Sequence, residues 1–350
     1  MKKTVLAFAV AAAMGVPAVA AADTTLYGRF NVSLDRVDND TTKSTQLASN
    51  SSRIGVRGSE DLGGGLRGVF QMEASMDVTT GAGGTLASRN SFVGLAGDFG
   101  ELRVGRHDSP YKMSTLRLNM LADSLMDIHN IMGSTPDAPN ALFGRENNVI
   151  LYMSPNFDGF QAMVSYTTDS TADTPTIVDQ GDTVQNPEAN DRDRYSIAGS
   201  FTSGPIFVTA AYEKHNNVSA ATEAQAWKIG GSYQIDDLTL GALYENIEVG
   251  NDDRNAWNLS ARYNMGQVYL AATYAQAGDF DGADTGAKMY GLGAGYNFSR
   301  RTGVYASYAQ VDNDRAGTYG LTAAGKGKGV AASDGGADVS GFQVGVWHNF

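Results

Sequence analysis

From Thr24 to Asp35 the chain reads TTLYGRFNVSLD, an alternation of two kinds of side chain. Leu26, Gly28, Phe30, Val32 and Leu34 share one face of an extended segment, and Tyr27, Arg29, Asn31, Ser33 and Asp35 share the other. Successive side chains of a strand point to opposite sides, so the segment is a strand with one greasy and one polar face. The same device recurs along the chain. Leu66, Gly68, Phe70, Met72 and Ala74 alternate with Arg67, Gln71, Glu73 and Ser75, and Trp257, Leu259, Ala261 and Tyr263 alternate with Asn258, Ser260, Arg262 and Asn264. At the far end Phe342, Val344, Val346, His348 and Phe350 fall on one face.

Sixteen such segments are expected, starting near residues 24, 46, 66, 87, 101, 146, 159, 192, 205, 224, 238, 254, 267, 287, 302 and 338. Their connections alternate in length. Tight links such as Asp61-Leu62-Gly63-Gly64-Gly65, Asn156–Gly159, Asp236-Asp237, Met265-Gly266 and Ser299–Arg301 follow every second strand, and longer polar links fill the other gaps. An even number of strands, with short turns at one end and long loops at the other, is the arrangement of an outer-membrane barrel. Proline keeps to loops and strand ends (Pro110, Pro136, Pro139, Pro155, Pro175, Pro187, Pro205), where it removes no ladder hydrogen bond. Tyr233, Tyr263, Phe298 and Phe350 fall at turn-proximal strand ends, where an aromatic girdle belongs. The fold expected is all-β, a 16-stranded antiparallel transmembrane β-barrel. A secreted β-sandwich also alternates, but it would need two large sheets with outward polar faces.

The ends and composition agree with export. Lys2 and Lys3, the apolar run Val5–Val16, Pro17 and the small residues Ala18–Ala22 read as a secretory signal peptide over residues 1–22, cleaved after residue 20, 21 or 22. That run is too short for a membrane helix, which needs roughly 20 apolar residues. Without Lys2 and Lys3, 24 basic residues face 38 acidic ones, a net charge near −14. Such a chain is a poor nucleic-acid partner, because phosphate binding requires a basic face. There is no cysteine, which excludes disulfides and thiolate metal or redox sites. Glycine supplies 42 of 350 residues, well above the usual share of about 7%.

TTLYGRF after the leader, SSRIGVRGSEDLGGGLRGVFQME, SRNSFVGLAGDFGELRVGR and the terminal VGVWHNF together resemble the general, trimeric porins of the Gram-negative outer membrane, betaproteobacterial type. The resemblance covers essentially all of the chain beyond the leader. It implies passive diffusion of ions and small hydrophilic solutes, a homotrimer, outer-membrane lipid and lipopolysaccharide as surroundings, and Phe350 as part of the signal read by the barrel-assembly machinery. His348 stands where many such signals carry another aromatic.

Residues 107–145 break the rhythm. Leu121, Leu125, Ile128 and Met132 are spaced 4, 3 and 4, a helical pattern, with Asp123, Asp127 and Asn130 on roughly the opposite face. A link this long inside a compact fold needs a purpose. In the porins it resembles, the third long loop folds into the barrel and narrows the pore; carried over, Asp123 and Asp127 face the lumen. Arg29, Arg53, Arg89 and Arg145 match the places where that family carries a basic cluster facing the acidic loop, with Arg57 a further inward candidate. Arginine stays charged in such a setting, and rings of charge are how pores sort ions. The net acidity favours cations at the mouth and the arginines favour anions at the constriction, so the residues alone leave selectivity open.

Other chemistry is sparse. His107, His129, His215 and His348 show no metal-ligand spacing, and no nucleophile motif is present, so no enzyme and no cofactor are expected. Asp279, Asp281 and Asp284 are candidates for bridging divalent cations to lipopolysaccharide, although they lack a full calcium-loop pattern. A substrate-specific channel for sugars or organic anions would show an aromatic ladder. Tyr27, Tyr269, Tyr305 and Trp347 are inward by register, but they read as scattered, not on neighbouring strands at matched heights. A structural or adhesive barrel with no open pore would have to satisfy many buried charges.

Overall fold

The computed structural model describes residues 23–135, 142–168, 193–219, 222–280, 282–321 and 330–350; the expected leader, 1–22, lies outside them. The first strands are β1 (Asp23–Asp38), β2 (Lys43–Ser49), β3 (Arg53–Gly63), β4 (Leu66–Ser75), β5 (Ser91–Gly97) and β6 (Gly100–Asp108). After the long connection come β7 (Arg145–Met153), β8 (Phe160–Thr167), β9 (Arg194–Ser203), β10 (Ile206–Ser219) and β11 (Thr222–Ile235). The last six are β12 (Leu238–Val249), β13 (Asp252–Met265), β14 (Val268–Ala277), β15 (Ala287–Asn297), β16 (Thr302–Asn313) and β17 (Val339–Asn349).

Apart from β2 and β3, neighbours in sequence pair antiparallel, and β17 returns to pair with β1. The sheet is closed. β2 pairs with Val32–Asp38 of β1 and β3 with Asp23–Arg29 of the same strand, so β2 and β3 are two halves of one barrel strand. They part at Asn50–Ser52, where Ser51 adopts φ 54°. Counted this way the barrel has sixteen strands, as the alternation predicts. The strand expected near residue 87 begins at Ser91; the residues before it are turns, with Ala87 at φ 66°.

The burial pattern is inverted relative to a soluble protein. Leu26 is 60% and Leu34 52% exposed, whereas Asn31, Ser33 and Asp35 between and beside them are 1–2% exposed. β17 repeats it, with Phe342, Val344 and Val346 exposed and Gln343 fully buried. Apolar side chains outward and polar side chains inward suit a wall bathed in lipid, and closure leaves no unpaired edge. A sandwich has neither property. Tyr233, Tyr263 and Phe298 are exposed at strand ends.

Two details show the sequence at work. Gly63, Gly64 and Gly65 take φ of +85°, +62° and +81°, which three consecutive residues can do only if none carries a Cβ. At the seam, Gly28 and Phe350 exchange backbone hydrogen bonds of 3.0 Å each way. The Phe350 ring lies over Gly28, where a Cβ would come within 2.3 Å of it, and beside Phe30 at 5.2 Å.

Candidate functional site

Between β6 and β7 the chain turns inward. Ser109 caps a short helix, α1 (Pro110–Ser114), its hydroxyl accepting from the Lys112 N–H at 3.2 Å, with Pro110 in the first turn where its missing donor costs nothing. Two single 3-10 turns follow, Leu116–Leu118 and Ile128–Asn130. The helix suggested by the spacing of Leu121, Leu125, Ile128 and Met132 is not formed; α1 lies upstream of it. Asp123 sits at φ 57°, a left-handed conformation that stops a helix but that aspartate tolerates. The apolar part of the expectation does hold. Leu125, Ile128 and Met132 are buried, and Leu121 packs against the same cluster.

What they pack on is the inner wall. Leu118, Met120, Leu125, Met126, Ile131 and Met132 share a cluster with Ala271, Ala275, Met289, Ala309 and Val339 of the later strands. Glycines make the room. A Cβ on Gly230 would come within 2.7 Å of Leu118, on Gly293 within 2.7 Å of Leu121, on Gly291 within 2.9 Å of Met126 and on Gly341 within 2.6 Å of Leu125. Polar side chains of the wall satisfy the loop's backbone. Ser260 donates to the Leu118 carbonyl (3.1 Å), Arg262 to that of Met120 (3.0 Å) and Asn31 to that of Asp123 (3.0 Å), while Gln343 accepts from the Leu125 N–H (3.2 Å). Glu245 ties the two ends of the segment together. Its carboxylate accepts from the Tyr111 hydroxyl (2.8 Å) and from the Gly133 N–H (2.8 Å), with the fully buried Arg254 at 3.4 Å.

The two loop carboxylates have different fates. Asp123 is partly exposed and lies 3.9 Å from Arg29 and 3.7 Å from Arg53. Asp127, expected to face the lumen, is buried inside the loop. It accepts from the Asn119 amide (2.8 Å), the His129 N–H (3.0 Å) and the Asp123 N–H (3.2 Å), and its other close partner is the His129 ring at 2.7 Å. Without the expected helix, the two residues no longer share a face, and Asp127 serves as an internal fastener. Burial pushes the His129 imidazole below its usual range, and Lys228 and Lys112 push the same way against Asp127. Its ring stacks on Phe143.

The arginines form a connected series. Arg53 lies 4.0 Å from Glu73, and Glu73 also pairs with Arg89 and accepts from the Tyr27 hydroxyl at 2.9 Å. Arg145 pairs with Asp108 at 3.0 Å, a carboxylate that Lys112 also holds at 2.9 Å. Arg89, Arg106 and Arg145 line one cavity of about 490 Å³ with Ser51, Ser52 and Ser88. Arg57 is exposed, over the Tyr27 ring at 5.0 Å. Glu73, Arg106 and Arg262 are the residues that motif reading passed over. The signal for Glu73 and Arg262 was only that they stand at inward positions of their strands. Arg106 shares the parity of the outward Leu102 and Val104 and had none, a register shift between Gly105 and His107 falling at its position.

The inward aromatics are less dispersed than their sequence positions suggest. Tyr269, Tyr305 and Trp347 line one cavity of about 230 Å³ together with Arg29 and Arg262. Each lies over a glycine of the adjacent strand (Gly295, Gly345 and Gly303), as Tyr27 lies over Gly55, so the rings lean sideways along the wall. Arg262 stacks on Tyr269 at 3.8 Å and Arg29 sits over Trp347 at 5.7 Å.

A family model described as Gram-negative porin matches residues 8–316. Outer membrane porin protein 32 of Delftia acidovorans is 30% identical over 371 residues, covering 100% of both chains. The major outer membrane protein P.IB of Neisseria meningitidis is 28% identical over 88% of this chain and 92% of its own. Among solved structures, the anion-selective porin from Comamonas acidovorans superposes with a TM-score of 0.78 at 26% identity, over 94% of this chain and 100% of that one. With an inside-out closed barrel and a charged lumen, these likenesses show that the chain belongs to the Gram-negative porin family and is a diffusion porin of the outer membrane.

Proposed function

We propose that residues 109–135 constrict the pore and that Arg29, Arg53, Arg89 and Arg145 make the constriction prefer anions. One observation carries this reading: Asp127 is folded away, so Asp123 alone of the two loop carboxylates meets the arginines. Among the lining groups described above, Arg29, Arg53, Arg89, Arg106, Arg145 and Lys112 face only Asp123, Glu73 and Asp108. An excess of fixed cations at the narrowest place lowers the barrier to an anion and raises it for a cation. The guanidiniums keep their charge at any working pH. Between them and Asp123 a polar solute finds a local field in which to orient, whereas an apolar one must enter a charged gap. The anion-selective title of the similar Comamonas acidovorans structure supports the same sign. The net acidity of the chain acts in the opposite direction at the mouth, and that contribution is screened by salt.

Reversal potential in planar bilayers under a salt gradient tests the reading. Arg53→Ala moves selectivity toward cations, Asp123→Asn moves it toward anions, and Asp127→Asn leaves its sign unchanged. Selectivity unmoved by both Arg53→Ala and Asp123→Asn excludes the assignment.

We further read the chain as a channel and not an enzyme, working as a homotrimer without a cofactor for transport. A fold neighbour from Vibrio cholerae solved in trimer form supports that assembly, and heat-modifiable migration in detergent gels tests it. Phe350, packed at the seam, is assigned to recognition by the assembly machinery. Asp279 and Asp284, joined by Asp314 within 4.8 Å, are assigned to divalent-cation bridging of lipopolysaccharide; Asp281 lies outside the described residues.

A further inference from the structure

A second constellation adjoins the arginine series at Arg145. Glu146 opens β7, and Glu213 and His215 stand two residues apart on β10, hence on the same face. β8 and β9 separate them. With strands about 4.8 Å apart, their backbones are on the order of 14 Å from each other along the wall. Their side chains nonetheless converge inside the barrel, one ligand atom from each lying within 4.8 Å of the others, and all three residues are buried.

The charges in this cluster are incompletely matched. Arg194 of β9 pairs with Glu146. Glu213 meets the His215 ring through Oε1, at 2.7 Å, with the Ser109 and Ser196 hydroxyls nearby, and its buried Oε2 has no hydrogen-bond partner of good geometry. A buried carboxylate oxygen without a donor carries its full desolvation cost. The position is also mechanical. Glu213 is paired in register with Ser196, whose hydroxyl accepts from the Tyr111 N–H at 2.9 Å. The cluster thus joins the strand on which the inward loop ends to the wall on which the loop begins to rest.

We propose that Glu146, Glu213 and His215 form a binding site for a transition-metal dication of the Zn²⁺ class. One imidazole nitrogen and two carboxylates suit that ion, which binds three protein ligands with a water in the fourth position. Calcium and magnesium prefer six or more oxygens, including waters. The cation supplies the partner that Glu213 Oε2 lacks and fastens β7 to β10 beneath the loop.

The test uses the refolded full barrel in detergent, stripped with chelator and carrying Asp284→Asn to disable the exposed acidic cluster. Zn²⁺ is titrated by calorimetry, and Co²⁺ is titrated by its visible absorption. One equivalent of Zn²⁺ per chain is expected, with a tetrahedral Co²⁺ spectrum and a raised temperature for the heat-induced gel shift. His215→Gln and Glu213→Gln each weaken binding by roughly tenfold or more. Absence of a stoichiometric Zn²⁺ site, or equal affinity in a folded His215→Gln barrel, overturns the proposal. If either variant fails to fold, the Co²⁺ spectrum of the parent barrel decides: octahedral, all-oxygen coordination refutes the site. Conductance does not enter the readout, so the result is independent of the selectivity reading.

Discussion

The arginine-bearing wall and the loop-bearing wall are made of the same alternating strands, yet their inward faces are filled in opposite ways. β1, β3 and β7, with the turn before β5, project long cations that pair with carboxylates of the neighbouring strands, Glu73 and Asp108, and of the loop, Asp123. β11, β12, β15 and β17 instead place glycines inward, at Gly230, Gly241, Gly291, Gly293 and Gly341, where Leu118, Met120, Leu121, Leu125 and Met126 occupy the vacated volume. One wall supplies charge and the other supplies a seat. A selective constriction needs both, because charges sort ions only where the passage is narrow, and the loop stays put only against a surface shaped for it.

The sharpest way to break this division is to remove the clasp. Glu245→Ala takes away the acceptor for Tyr111 and Gly133 and leaves Arg254 buried without its carboxylate, a loss of about 3–5 kcal/mol for a broken buried pair. The barrel strands remain paired, so the expected outcome is a loosened loop. Single-channel conductance rises and becomes noisier, and protease cleaves within 109–135. Unchanged conductance and an intact loop would show that the seat suffices without the clasp.

A smaller effect follows from filling the seat. Gly341→Leu drives a side chain into Leu125, an overpacking cost of about 1–3 kcal/mol, read as a lower temperature for the heat-induced gel shift. Gly68→Leu, on the lipid-facing side of β4, is the control. Its Cβ meets nothing closer than 3.8 Å, so that shift should stay near the parent value. Equal sensitivity at the two positions would erase the contrast.

The smallest effect concerns pH. Burial holds His129 below the ordinary histidine value, so the open loop takes up its proton before the seated one does. The associated stability is therefore present above pH about 6.5 and is lost as pH falls through the depressed value of the seated state. Acidification should raise loop-opening events in single-channel records, and His129→Gln should flatten that dependence. Identical pH profiles in both proteins would place the sensitivity elsewhere.

How much of this was legible beforehand differs by region. The strands were readable because a period of two, repeated with one apolar face, has one physical solution once the chain is in lipid: closure. TTLYGRF and its successors therefore gave the barrel, the inward arginines and the short turns directly. The split of β2 from β3 was not read, although the outward phase changes there, from Leu47 and Ser49 to Ile54 and Val56. Residues 50–53 are all polar and carry no phase of their own, and Ser51's positive φ marks the break. The loop was half readable. Its apolar residues were identified correctly, but their helical spacing was misleading, because the wall they pack on replaces the opposite turn of a helix as the partner for burial. Asp127 followed the helix assumption and was placed in the lumen for that reason.

The sequence by itself thus determined the barrel, the orientation of its faces and the presence of charge in the lumen, all of which depend on local periodicity. Tertiary structure decided which carboxylate meets which arginine, which glycines seat the loop, and that Tyr269, Tyr305 and Trp347 share one cavity. It also brought Glu146 to Glu213 and His215 across two intervening strands. Those relations join residues tens to hundreds of positions apart, and only the closure and curvature of the sheet fix the distances between them.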